Sequence, residues 1–113
     1  DTALVGIGTI EDRKKGYIFD GYVEEETSEV LQQKGAVGHI CGHHFNAQGE
    51  HIVTPMCSRT IGVNLKQIHR LPRVVGVAWG EHKLNAIRGA LRGKLVSVLI
   101  TDSETATALL EED

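Results

Sequence analysis

The sequence predicts an α/β fold, a layered sheet that closes on a βαβα unit, and the evidence lies in residues 73–113. RVVGVAWG and LVSVLIT are continuous apolar runs of strand length. Between them, EHKLNAIRGALRGK sets Leu84, Ile87 and Leu91 at helical spacing. Two buried strands joined by a helix pair in parallel through a right-handed crossover, which implies a sheet covered on both faces. SETATALLEE then supplies a closing helix, capped by Asp102 or Ser103.

The rest of the chain follows in order. DTALVGIG reads as a buried strand ending in glycines, and because such a strand needs neighbours on both sides, the chain is expected to be the C-terminal part of something longer. Residues 9–21 are charged and punctuated by glycine, a loop by composition. VEEETSEVLQQKG places acids in a first helical turn and Gly35 at the helix stop. Residues 37–51 read as a strand, a turn around Asn46 and Gly49, and a return strand HIVTP, a hairpin. NLKQIHRLP predicts a short helix with Asn64 as N-cap and Pro72 beyond its end.

Composition excludes several classes. With 113 residues, 41% apolar and 24% charged, the chain is one small globular unit without low complexity or repeats. A net charge of −3 gives no basic patch for nucleic acid. No apolar run reaches membrane length and no leader is visible, so a cytoplasmic protein without membrane partners is expected. Two cysteines, Cys41 and Cys57, do not make a disulfide framework.

Chemistry could sit in two places. Ligands of open α/β sheets bind outside the carboxyl ends of the strands, where helix N-termini present unpaired N–H groups. Here that place is residues 78–83, and Lys83 in the first helical turn would join the helix dipole in holding a phosphate. Trp79 either stacks on a ligand or closes the core. Gly6 and Gly8, ending the first strand, would let a ligand approach the backbone.

The second place is GAVGHICGHHFNAQGEH, which holds four of the six histidines. On one continuous strand, His39, Cys41 and His43 share a face and His44 turns to the other. Imidazole and thiolate suit zinc, but the spacing matches no zinc motif, so neither a metal nor any other cofactor is expected. The acids at Glu24, Glu25, Glu26 and Asp102 are explained as helix-start residues, leaving no catalytic carboxylate.

GAVG-x-ICG-x-x-F followed by VVGVAWGEHKLNAIRGALRGKLVSVLITDSETATALL resembles the C-terminal half of the sugar-binding, effector-binding domain of SorC-type bacterial transcriptional regulators, from LVGIG near the start to LLE near the end. The resemblance implies a Rossmann-like fold similar to the NagB/RpiA/CoA-transferase group. Residues 1–113 would then be the C-terminal part of one effector-binding domain. The resemblance further implies a phosphorylated sugar as effector, an operator-binding helix-turn-helix segment outside this chain, and a homo-oligomer, dimer or tetramer. A sugar-phosphate isomerase-like enzyme of the related fold and a histidine-rich metal-binding module are the alternatives.

By position, Lys83 matches the lysine that meets the effector's phosphate. His39 stands where an acid usually contacts sugar hydroxyls, with Cys41 pointing to the same face. Gly80 matches the glycine before the binding helix, and Gly6 and Gly8 follow from the same alignment. Trp79 stands where a small residue is usual. His39 in place of an acid suggests that it charges beside Lys83 at low pH, which would strengthen anion binding at pH 5.5 relative to pH 8.

Overall fold

A computed structural model describes residues 1–10 and 23–111; most of the loop expected over 9–21 lies outside them. β1 (Thr2–Gly6), β5 (Arg73–Val77) and β6 (Val98–Ile100) form one parallel sheet in the order β1-β5-β6. β2 (Gly8–Thr9), β3 (Ala36–Ile40) and β4 (His43–Asn46) form a second, antiparallel sheet. Thr9, expected to begin a loop, is therefore strand. Helices α1 (Glu25–Gln33), α2 (Pro55–Arg59) and α3 (Leu65–Arg70) precede β5. A 3-10 turn (Glu81–Lys83), α4 (Leu84–Arg92) and α5 (Ser103–Glu111) complete the chain.

The expected βαβα unit is present, β5-α4-β6-α5, with its strands parallel. The Asn64 cap is also as expected: its side chain accepts from the Gln67 N–H at 2.9 Å, and the Gln67 side chain accepts from the Asn64 N–H at 3.0 Å, a reciprocal capping box. At α5 the cap is Asp102, which accepts from the Thr105 N–H at 2.8 Å.

The core lies between one face of the parallel sheet and the segments that return over it. Val74, Leu95 and Val96 pack with Ile87 and Ala90 of α4, Ile68 of α3, and Ile40 and Phe45 of the second sheet. Ala3, Val5 and Leu99 face the same way. In register, Leu4, Val75 and Val98 point to the opposite face. There Leu4 is 72% exposed and Ile100 53%, so among the described residues the sheet is covered on one face and not on both. The reason is topological: α4 crosses on the core side and α5 follows it there, tied by the Arg88 guanidinium donating to the Ala108 carbonyl at 3.2 Å.

The hairpin differs from the sequence reading. β3 turns into β4 at Cys41 and Gly42, with φ of 52° and 83°, so that Ile40 pairs directly with His43. Two consecutive residues of positive φ are what a tight two-residue hairpin turn requires. The expected turn at residues 46–49 also exists: the Asn46 side chain accepts from the Gln48 and Glu50 N–H groups at 3.0 and 2.9 Å. The return strand, however, reduces to a single bridge between Phe45 and His51, and α2 starts at Pro55.

Candidate functional site

Gly6, Val77 and Ile100 stand in register, so the carboxyl ends of all three parallel strands lie along one edge. The 3-10 turn carrying Lys83 follows β5 at that edge, and Lys83 is the N-cap residue of α4. Gly80 takes φ of 112°, a conformation that only glycine adopts readily, and its carbonyl accepts from the Lys83 N–H at 3.0 Å. The Gly80 N–H in turn donates to the buried Thr105 hydroxyl at 3.0 Å. Thr105 also bonds Asp102 through its N–H and its hydroxyl, which holds that carboxyl below its ordinary range. Gly80, Thr105 and Asp102 thus lock the start of α5 to the loop that presents Lys83.

The other candidates are placed unequally. Gly6 has open space where a side chain would be, as a close approach to the backbone requires. Gly8 does not: a Cβ there would meet the His39 ring, with Nδ1 at 2.8 Å, so the space is filled by this chain's own imidazole. Trp79 is 59% exposed, and so is on the surface rather than closing the core.

The two-residue turn overturns the expected facing of the histidines. Directly opposed residues of an antiparallel pair share a face, so His39 and His44 lie together, ring centroids 5.4 Å apart, and both are buried. His44 does not point outward. Cys41, at the turn, is exposed and does not accompany His39 inward. Alternation predicted otherwise because it assumes an unbroken strand.

Burial, and then the Lys83 charge, push the His39 pKa down to about 4. His39 is therefore neutral at pH 5.5 as well as at pH 8 in the unliganded chain, and the expected gain of charge beside Lys83 does not occur there. Its neutral ring remains a hydrogen-bonding group of both polarities.

Sequence reasoning missed Thr101, whose buried hydroxyl, just past β6 at the same edge, has no hydrogen-bond partner among the described residues. A threonine after an apolar strand gives only a weak signal. A cleft of about 260 Å³ lies beside this edge, lined by Gly80, Glu81, Leu84, Asp102, Glu104, Thr105 and Ala108. Three carboxylates make it a poor seat for an anion, and neither Lys83 nor His39 lines it.

Comparison with known proteins decides the family. The model of the family described as "Putative sugar-binding domain" matches residues 1–111. The chain belongs to this sugar-binding domain family. Among curated relatives, the transcriptional regulator LsrR of Enterobacter sp. (strain 638) is 41% identical over 112 residues, covering 97% of this chain and 35% of that protein. The deoxyribonucleoside regulator of Bacillus subtilis (strain 168) is 40% identical over 110 residues, covering 97% of this chain and 34% of that protein.

Solved structures agree. The full-length sorbitol operon regulator SorC of Klebsiella pneumoniae superposes with a TM-score of 0.88 at 33% identity, over 97% of this chain and 35% of that one. A transcriptional regulator of Streptococcus pneumoniae TIGR4 reaches 0.89 at 34% identity, over 100% of this chain and 43% of that one. The Rossmann-like layered α/β fold expected from the sequence is thus shared with regulator sugar-binding domains. This sugar-binding domain chain spans about a third of the length of the curated relatives it matches. Among its described residues no helix is long and apolar enough to cross a membrane.

Proposed function

We propose that residues 1–113 are the C-terminal part of the effector-binding domain of a bacterial transcriptional regulator. Its effector is a phosphorylated sugar, whose binding modulates operator affinity through a helix-turn-helix segment outside this chain. The role is regulatory rather than catalytic, in the cytoplasm, and the assembled regulator is a homo-oligomer. The observation that carries the reading is Lys83. Lys83 stands at the N-cap position of α4, at the carboxyl edge of a parallel sheet, where a phosphate would also receive N–H groups of the helix start.

Around it, Gly6 offers bare backbone and Thr101 a hydroxyl without a partner among the described residues, groups of the kind that bind sugar oxygens. His39 shapes the floor behind Gly8 as a neutral ring. Cys41 and Trp79, both exposed, are rim residues in this reading, and Gly80 sets the loop. The names of the relatives, a sorbitol operon regulator and a deoxyribonucleoside regulator, support an effector of sugar class.

The test is a thermal-unfolding panel of phosphorylated sugars and their unphosphorylated parents on the longest form of the protein. A ligand at a hundred times its dissociation constant adds about 2.7 kcal/mol of stability. One sugar phosphate is expected to stabilise the protein while its parent does not. Stabilisation by parent sugars alone contradicts the reading.

A further inference from the structure

The histidine-rich stretch holds a second arrangement, separate from the Lys83 edge. His43 opens β4, directly after the tight turn. The Phe45–His51 bridge brings His51 back beside it, and the two rings meet edge to face with centroids 5.3 Å apart. α2 then delivers Cys57, whose Sγ lies 3.4 Å from His51 Nε2. One ligand atom from each of His43, His51 and Cys57 can be chosen so that all lie within 4.8 Å of one another.

A second observation points to a ligand. His43 is only 4% exposed, yet both of its ring nitrogens are buried without a hydrogen-bond partner among the described residues. A buried imidazole left unsatisfied costs about 1–3 kcal/mol per group, and interiors do not normally leave one so. A cation bound to the lone pair of the unprotonated nitrogen would remove part of that cost. Its neighbours are the two side chains best suited to share such a cation.

We propose that His43, His51 and Cys57 form a binding site for a divalent transition metal, with zinc the ion it suits best. Two imidazole nitrogens and a thiolate are borderline-soft donors of the kind zinc takes tetrahedrally, at about 2.0–2.3 Å from the ion. Donor atoms around such an ion stand roughly 3.5 Å apart by that geometry. The Cys57–His51 separation of 3.4 Å already matches, and the His43 ligand atom, within 4.8 Å of both, has to close the remaining distance. His51 is exposed, so the fourth position faces solvent and takes water or an exchangeable anion.

Binding converts the Cys57 thiol to thiolate and releases its proton to solvent. The negative charge so formed offsets the repulsion from the Lys66 charge, which acts on His51. The site would clamp β4 and the segment that returns beside it to α2, adding to the Phe45–His51 bridge and the Ile52 N–H that donates to the His44 carbonyl at 2.9 Å. Spacing along the sequence hides it, because the ligands come from a strand, a bridge and a helix rather than from one motif.

The test is a titration of Co²⁺ into untagged protein stripped of metal by a chelator. One equivalent is expected to bind with intense tetrahedral visible bands and a near-ultraviolet thiolate-to-cobalt charge-transfer band, and zinc to displace it. Cys57→Ser should abolish the charge-transfer band. His51→Ala, at an exposed position, should weaken binding at least about tenfold, the loss that even indirect partners of a ligand produce. Unfolding curves of the metal-free variants check that both remain folded. Absence of stoichiometric binding to the wild-type protein overturns the proposal, as does binding that both substitutions leave unchanged.

Discussion

Gly49→Ala should destabilise the protein by about 3 kcal/mol or more, among the largest losses available from adding one methyl group. Two effects add. Gly49 takes φ of 80°, where any side chain carries strain. Its Cβ would also sit 2.5 Å from the Gly89 carbonyl oxygen and 2.7 Å from the Gly93 nitrogen, both backbone atoms of the α4 end that cannot rotate away. The turn after β4 is therefore pressed against the end of α4, the helix whose Ile87 and Ala90 share a core with Ile40 and Phe45 of the second sheet. Gly35→Ala separates the two effects. Gly35 has φ of 75° but open space around it, so strain alone applies, about 1–2 kcal/mol. Urea unfolding of both variants should show the larger loss at Gly49, and equal losses would mean that the approach to α4 is not tight.

Acidification should cost the unliganded protein roughly 3 kcal/mol through His39 alone, by the linkage between pKa and stability. The folded chain keeps His39 neutral down to a pKa of about 4, whereas the unfolded chain takes the proton near 6.5. Between those values the unfolded state binds more protons, so stability rises with pH. The contribution is complete above pH 6.5 and is lost as the pH falls toward 4. His43 and His51 shift the same way through burial, with His43 and Lys66 adding to the effect on His51. Unfolding free energies at pH 7 and pH 4.5 should therefore fall less in His39→Gln than in the wild type. The same pH dependence in both would place His39 outside the buried cluster. A phosphate bound nearby would favour the protonated ring and flatten the profile.

The βαβα unit was legible because its signals are local: two apolar runs and a helical period between them need no knowledge of the rest. Lys83 and Gly80 were legible for the same reason, since strand ends and helix starts fall where the pattern changes. The Cys41–Gly42 turn was not. Cysteine is not a turn former, and ICGHHF reads as strand until Gly42 is allowed a positive φ. That one misplaced turn reversed the side assigned to His44 and sent Cys41 inward. α2 did leave a signal, Pro55 at the first helical position after Thr54, masked by its reading as strand. The filling of Gly8 by His39, and the convergence of His43, His51 and Cys57, depend on cross-strand register and long-range packing, which spacing along the chain does not encode.

In the proposed function Lys83 holds the phosphate of a sugar effector. The direct measurement is a calorimetric cycle: wild type and Lys83→Ala, each titrated with the most stabilising sugar phosphate of the panel and with its parent sugar. A hydrogen bond to a charged group is worth about 1.5–3 kcal/mol, so the preference for the phosphorylated form should fall roughly ten- to hundredfold in the variant. A preference unchanged by the loss of Lys83 would contradict the account and move the phosphate site elsewhere in the protein.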